Sequence, residues 1–149
     1  QQAEDQLRKV RANLKSQIDQ GLANVERIGD QILVQLSTQD SFRSGYAELR
    51  TEFLPTLSAL GQTIAELNSK VTVSGHTDNI PIAFSERFLS NWDLSAARAA
   101  AVADYLLTSN SVTESRIDVV GFADTKPIAS NTTPQGRTQN RRIEILIDS

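Results

Sequence analysis

The chain has 149 residues, and 15 Lys and Arg against 18 Asp and Glu give it a formal charge of −3. That balance excludes a generic basic nucleic-acid binder, which needs an excess of cations to match phosphates. With no cysteine and His76 as the single histidine, a disulfide framework, a thiolate metal site and a His-rich zinc site are excluded too, and no metal or cofactor is expected.

An apolar share of 39% and a charged share of 22% suit one folded domain with an appendage. No run approaches the roughly 20 apolar residues that cross a bilayer. The longest apolar patch, at 99–107, is broken by Asp104. There is no signal peptide and no methionine. The chain therefore reads as an excised or processed part of something longer, with any membrane anchor upstream of Gln1.

Residues 1–28 are rich in Gln and charged residues, with Leu7, Val10, Leu14, Ile18, Leu22, Val25 and Ile28 recurring at intervals of three and four. This spacing predicts one N-terminal linker helix over 1–28 with a narrow apolar stripe, followed by a domain at 29–149. The stripe fits packing on the chain's own domain and also a seam with a second copy.

Ile32 to Leu36 suits a buried strand, and 37–50 has a loop composition. A helix is predicted from Thr51 as cap to about Asn68, with Leu54, Leu57, Leu60, Ile64 and Leu67 on one face. Val71 to Gly75 alternates as a half-buried strand. A long loop over 79–92 precedes a helix capped by Ser95 and running to about Ser109, with Ala99, Val102 and Leu106 inward. A strand at 117–120, a polar stretch at 130–139 with a short helix, and a closing strand carrying Ile143, Ile145 and Ile147 complete the chain. Strands alternating with helices predict an α/β two-layer sandwich, a mixed β-sheet covered by helices.

Three places carry candidate chemistry. Asp78 follows the C-terminal end of a strand, where α/β sheets place ligands, although an Asx-turn on its own backbone explains it as well. Arg98, among alanines in the predicted first turn of a helix, fits a carboxylate receptor there or a salt bridge to Asp78 or Asp93. Together, Asp78 and Arg98 would match the ammonium and carboxylate of an amino acid. Arg141 and Arg142 enter the last strand on opposite sides, and Arg141 shares the apolar side, where it needs a partner or a ligand. His76 reads as a hydrogen-bonded structural residue and Trp92 as a core or loop anchor.

Four ordered motifs, GHTD at 75–78, LSAARAAAVADYL at 94–106, GFADTKPIASN at 121–131 and GRTQNRRIEI at 136–145, make residues from about 30 to 148 resemble an OmpA-like peptidoglycan-binding domain. Within that family the stretch GHTDNIPIAFSERFLSNWDLSAAR is most similar to the periplasmic region of flagellar motor stator B subunits, the MotB/PomB type. The absence of cysteine and GYAELR at 45–50 fit the sodium-driven PomB branch.

The resemblance implies a non-catalytic periplasmic anchor that grips the diaminopimelate of the peptidoglycan stem peptide and holds an ion-driven stator against rotor torque. Asp78 would receive the diaminopimelate ammonium and Arg98 its carboxylate, with Thr77, Asn91, Asn131 and Arg141 at neighbouring pocket positions. The implied partners are peptidoglycan, a second copy in a homodimer, periplasmic flagellar ring proteins, and a stator A subunit (MotA/PomA type). That last partner would be reached through a membrane helix this chain lacks, which makes the chain the periplasmic part of a single-pass inner-membrane protein. An N-terminal helix that unwinds would lengthen its reach toward the wall. The alternatives are an anchor of an outer-membrane protein or lipoprotein, a dimerisation module without a wall ligand, and an enzyme using Asp78, Asp93 or Asp124. The last lacks any nucleophile–base–orienter pattern.

Overall fold

A computed structural model of the chain describes residues 2–82, 87–110 and 112–148. The centre of the predicted 79–92 loop, at 83–86, lies outside the described residues.

The first departure from expectation is at the N-terminus. Helix α1 covers Gln2–Asn13, a short α2 covers Lys15–Asp19, and the chain then turns at Gly21 into a strand, β1, Asn24–Ile28. The single helix expected over 1–28 is thus corrected to two short helices and an edge strand. Leu7, Val10 and Leu14 are buried from the helical part. Val25 is buried from the strand, opposite Val34, whereas Ile28 points to the other side of the sheet and is 49% exposed. A spacing of three keeps residues on one side of a helix but alternates them across a strand. Gly29-Asp30, a two-residue hairpin connection, joins Ile28 to Gln31 and supplies the turn that starts β2, Gln31–Ser37.

Ser37 accepts a hydrogen bond from the Gln39 amide at 3.2 Å and caps a one-turn helix, α3, Thr38–Ser41. After a loop, Thr51 opens a 3₁₀ turn without a side-chain cap, and α4 runs from Leu54 to Leu67 with Pro55 in its first turn. Asn68, in the left-handed region at φ 56°, ends it. β3 is Val71–His76 and α5 is Asn91–Asn110. Helix α5 therefore starts four residues before the predicted cap, Ser95. β4 is Ile117–Gly121, α6 is Pro134–Asn140 with Thr133 as its cap, and β5 is Arg142–Asp148.

The strands form one mixed sheet in the order β1-β2-β5-β3-β4, antiparallel throughout except for the β3–β4 pair that α5 connects. Ile32, Val34 and Leu36 of β2, Ile143, Ile145 and Ile147 of β5, and Val71 and Val73 of β3 share the face covered by helices α1, α4 and α5. Each such side chain contributes about 1.5–3 kcal/mol when fully withdrawn from water. The expected α/β two-layer sandwich is the observed fold.

Two glycines let α5 come close to the sheet. A Cβ at Gly75 would run into the Ser95 carbonyl oxygen, and one at Gly121 would lie 2.6 Å from the Ala96 nitrogen. Backbone therefore meets backbone at the ends of β3 and β4, which fixes the register of α5 and the height of Arg98 above the sheet.

Candidate functional site

His76 and Arg142 stand opposite one another at the end of the β3–β5 ladder, so both strands release their chains at the same corner. Beyond His76, the Thr77 amide donates to the Ala123 carbonyl at 2.8 Å and the Phe122 amide to the Gly75 carbonyl at 3.0 Å. These bonds pin the outgoing chain. Asp78, 7% exposed, accepts from the Ile80 amide at 3.0 Å through Oδ1, the Asx-turn, and from Arg141 Nη1 at 2.7 Å through Oδ2. Arg141 lies between α6 and β5, outside the alternation of the strand, so its side chain is free to reach across the corner. Its Nη2 also donates to Thr138 Oγ1 at 3.1 Å.

Arg98 lies in the third turn of α5, not in its first. The expected help from free helix amides is thereby withdrawn. Instead the guanidinium, on a residue only 5% exposed, donates from Nε to the Tyr46 carbonyl at 2.8 Å and from Nη2 to the Arg43 carbonyl at 3.1 Å. It lies 5.2 Å over the Phe42 ring. Among the described residues no carboxylate is within ion-pair distance of it: Asp78 pairs with Arg141, and Asp93 accepts from the Leu89 amide at 3.1 Å. Burial, with the nearby charge of Arg141, lowers the Arg98 pKa to about 10. A buried cation in that condition is short of negative charge.

Asp78 and Arg98 open onto one cavity of about 690 Å³, within the size range of small-molecule sites. Thr77, Asn91 and Arg141 line it as well. Asn91 and Leu94 share a face of α5 with Arg98, three and four residues apart, and Asn91 Nδ2 ties the opposite rim by donating to the Ile80 carbonyl at 3.0 Å.

Asn131 is not brought to the cavity. Its Oδ1 accepts from Asn140 Nδ2 at 2.8 Å, and its carbonyl accepts from Arg137 Nη1 at 3.0 Å. These bonds hold it in the loop before α6, outside the residues that line the cavity. Trp92, expected as a core or loop anchor, is 54% exposed, which excludes the core alternative.

The cavity's remaining wall was missed in the sequence. Phe42, Tyr46 and Arg50 line it from the segment read as a loop, and Arg87 lines it from the other side. Arg43 and Arg87 place their guanidinium carbons 4.4 and 4.1 Å from the centre of the Tyr46 ring. A tyrosine between two arginines inside a Gly- and Ser-bearing loop is the signal that could have marked it.

Behind the corner lies a buried polar cluster. His76 Nε2 is 3.0 Å from Ser74 Oγ, its ring stacks on Phe122, and Arg142 Nε donates to Glu144 Oε2 at 2.8 Å. Burial and the charges of Arg142 and Lys126 lower the His76 pKa to about 4 against the opposing pull of Glu144. Burial alone would raise the Glu144 pKa, but hydrogen bonds from Gln35 and Arg142, with the Arg142 charge, hold it below its ordinary value. His76 is thus a neutral structural residue, as its sequence position suggested. Among the described residues no cluster of three His, Asp or Glu could hold a metal, and no helix is long and apolar enough to cross a membrane.

Known proteins resemble this chain in sequence and in fold. Motility protein B of Bacillus subtilis is 32% identical over 145 residues, covering 91% of this chain and 55% of that protein. The peptidoglycan-binding protein ArfA of Mycobacterium tuberculosis is 46% identical over 81 residues, covering 54% of this chain and 23% of that protein. The chain therefore spans little more than half of these relatives at most. The solved cell wall anchor of the T6SS from Pseudomonas aeruginosa superposes with a TM-score of 0.88 at 36% identity, over 94% of this chain and 96% of that one. The OmpA family matches residues 41–141, a span that supplies all of the cavity's lining except Thr38 and Gln39. This chain belongs to the OmpA family.

Proposed function

We propose that the chain is a non-catalytic anchor that binds peptidoglycan by the diaminopimelate end of its stem peptide. The observation that carries this reading is the pair in one cavity: a strand-end carboxylate, Asp78, and a buried guanidinium, Arg98, that has no carboxylate of its own among the described residues. An ammonium shares Asp78 with Arg141, and a carboxylate supplies the negative charge that Arg98 lacks. Thr77, Asn91 and Arg141 hold the walls of this site. Co-sedimentation with purified sacculi tests it. The parent should pellet with the wall, while Asp78→Asn and Arg98→Lys, both folded by circular dichroism, should stay in solution. Parent protein that never pellets, or variants that pellet as well as the parent, would overturn the reading.

Similarity to Motility protein B over nearly the whole chain favours the finer assignment to a flagellar stator in the periplasm, as a dimer with a stator A subunit and in contact with flagellar ring proteins. The sodium-driven type is the branch favoured by the 45–50 motif. On this reading the N-terminal segment is a releasable tether. Unfolding α1 and α2 gives up the burial of Leu7, Val10 and Leu14, on the order of 5 kcal/mol, so wall binding must offset that cost. A disulfide between α1 and α4, from Asn13→Cys with Thr63→Cys where the side chains already meet at 3.0 Å, should stop motility when oxidised and restore it when reduced. Normal motility in the oxidised protein would refute the tether.

A second reading keeps wall binding but places the chain in another envelope machine. The near-complete superposition on a secretion-system wall anchor favours it. Complementation of a non-motile stator deletion by the full-length protein separates the two.

A further inference from the structure

Among the described residues the cavity's lining carries more positive charge than one amino-acid end can match. Arg50, Arg98 and Arg141 stand there against a single carboxylate, Asp78, which Arg141 already engages. A zwitterionic end brings one charge of each sign and leaves that excess unchanged.

Arg50 is where the excess is least explained. Its backbone is fully used: the amide donates to the Ser41 carbonyl at 2.8 Å, and its carbonyl accepts from the Phe53 amide at 3.0 Å at the start of the 3₁₀ turn. Its Nε is withdrawn from solvent and has no acceptor among the described residues. Arginine cannot escape by losing its proton, and a buried donor without an acceptor is costly. The loop is already held by these backbone bonds and by the Arg98 contacts to the Tyr46 and Arg43 carbonyls. Arg50 lines the cavity and has no acid paired with it among the described residues, and a planar guanidinium in that setting suits a carboxylate.

We infer that Arg50 forms a second carboxylate subsite, so that the cavity takes a peptide bearing two carboxylates beside one ammonium. This rests on the wall-peptide reading and narrows it to the acidic forms of the stem. Two groups on such a peptide have the required chemistry: the α-carboxylate of its γ-linked glutamate and its C-terminal carboxylate. Amidation of the correct one is then a modification that the anchor senses.

The test is calorimetric titration of the 149-residue chain with the tripeptide L-Ala-γ-D-Glu-diaminopimelate in three forms: the free acid, the glutamate α-amide and the C-terminal amide. One of the two amides should bind the parent about tenfold more weakly than the free acid, as expected for the loss of one charge-assisted contact, and that amide identifies the source. Arg50→Gln should weaken the free acid by the same factor and bind that amide no less well than the acid. Arg50→Lys, which keeps the charge but loses Nε, should recover part of the preference. Equal binding of all three forms by the parent, or an undiminished preference in a folded Arg50→Gln, would overturn the second subsite. Asp78→Asn separates the two readings. If it abolishes binding while the parent shows no preference, the wall reading stands and the subsite falls. If the parent binds no form at all, both fall.

Discussion

Asp78 and Arg141 are 63 residues apart in the chain, yet their side chains meet at 2.7 Å because His76 and Arg142 are directly paired at the end of β3 and β5. The ion pair is a product of strand register. Slipping β5 by one residue would carry Arg141 away from Asp78 and turn the isoleucines of β5 out of the core.

Asp78→Asn should therefore separate binding from stability. The amide oxygen of Asn can still accept from the Ile80 amide, and the Arg141 side chain is about a third exposed, so the lost ion pair is worth less than about 1 kcal/mol. Urea unfolding should change little while wall binding is lost. A large drop in stability would mean that Asp78 is chiefly structural.

Arg98 behaves differently. Removing its side chain leaves the Tyr46 and Arg43 carbonyls without their donor and frees the 43–46 loop. Arg98→Ala should cost about 1–3 kcal/mol in chemical denaturation besides abolishing binding. Arg98→Lys should retain more stability but not the paired contact with a carboxylate.

Gly121→Ala should also destabilise, by about 1–3 kcal/mol, because the added methyl meets the backbone of α5 rather than a side chain that can turn away. Since α5 carries Arg98, the same substitution should weaken wall binding. Thermal melts and sedimentation of one variant check both effects.

Stability should fall with acid above the carboxylate range. His76 has a folded pKa of about 4, below its ordinary 6.5. Between those values the unfolded chain binds a proton that the folded chain refuses, so stability is complete above pH 6.5 and declines as pH falls toward 4. The loss is on the order of 3 kcal/mol. Glu144, held below its ordinary 4.5, adds to the loss in the same direction at lower pH. In His76→Gln, urea midpoints measured from pH 7 to pH 4 should flatten, with about one proton fewer taken up on unfolding at pH 5.

Most of the fold could be read from pattern, because β3 and β5 alternate, β2 is a short apolar run and the apolar faces of α4 and α5 repeat at helical spacing. The first 28 residues misled because their spacing satisfied a helix up to Ile28, and only Gly21 and Gly29-Asp30 betrayed the turn and hairpin. At the site, Asp78 stood out at the end of a strand, Arg98 among alanines and Arg141 on the apolar side of the last strand. The start of α5 was misplaced because Ser95 is a good cap by composition. In the fold its hydroxyl accepts from the Ala123 amide at 3.1 Å, a partner 28 residues away. Arg50 and Tyr46 escaped for a related reason: they lie in a loop, and only tertiary packing gives that loop an inside.

The strand made last in this chain, β5, lies at the middle of the sheet, between β2 and β3. Until it is threaded into place, β2 and β3 each lack a neighbour and Arg141 has no corner to reach, so half-made chains own neither a closed core nor a pocket. The core of this domain therefore closes only once β5, Arg142 to Asp148, is in place between its two neighbours. Removing that one strand should therefore cost the whole domain and not merely an edge of it.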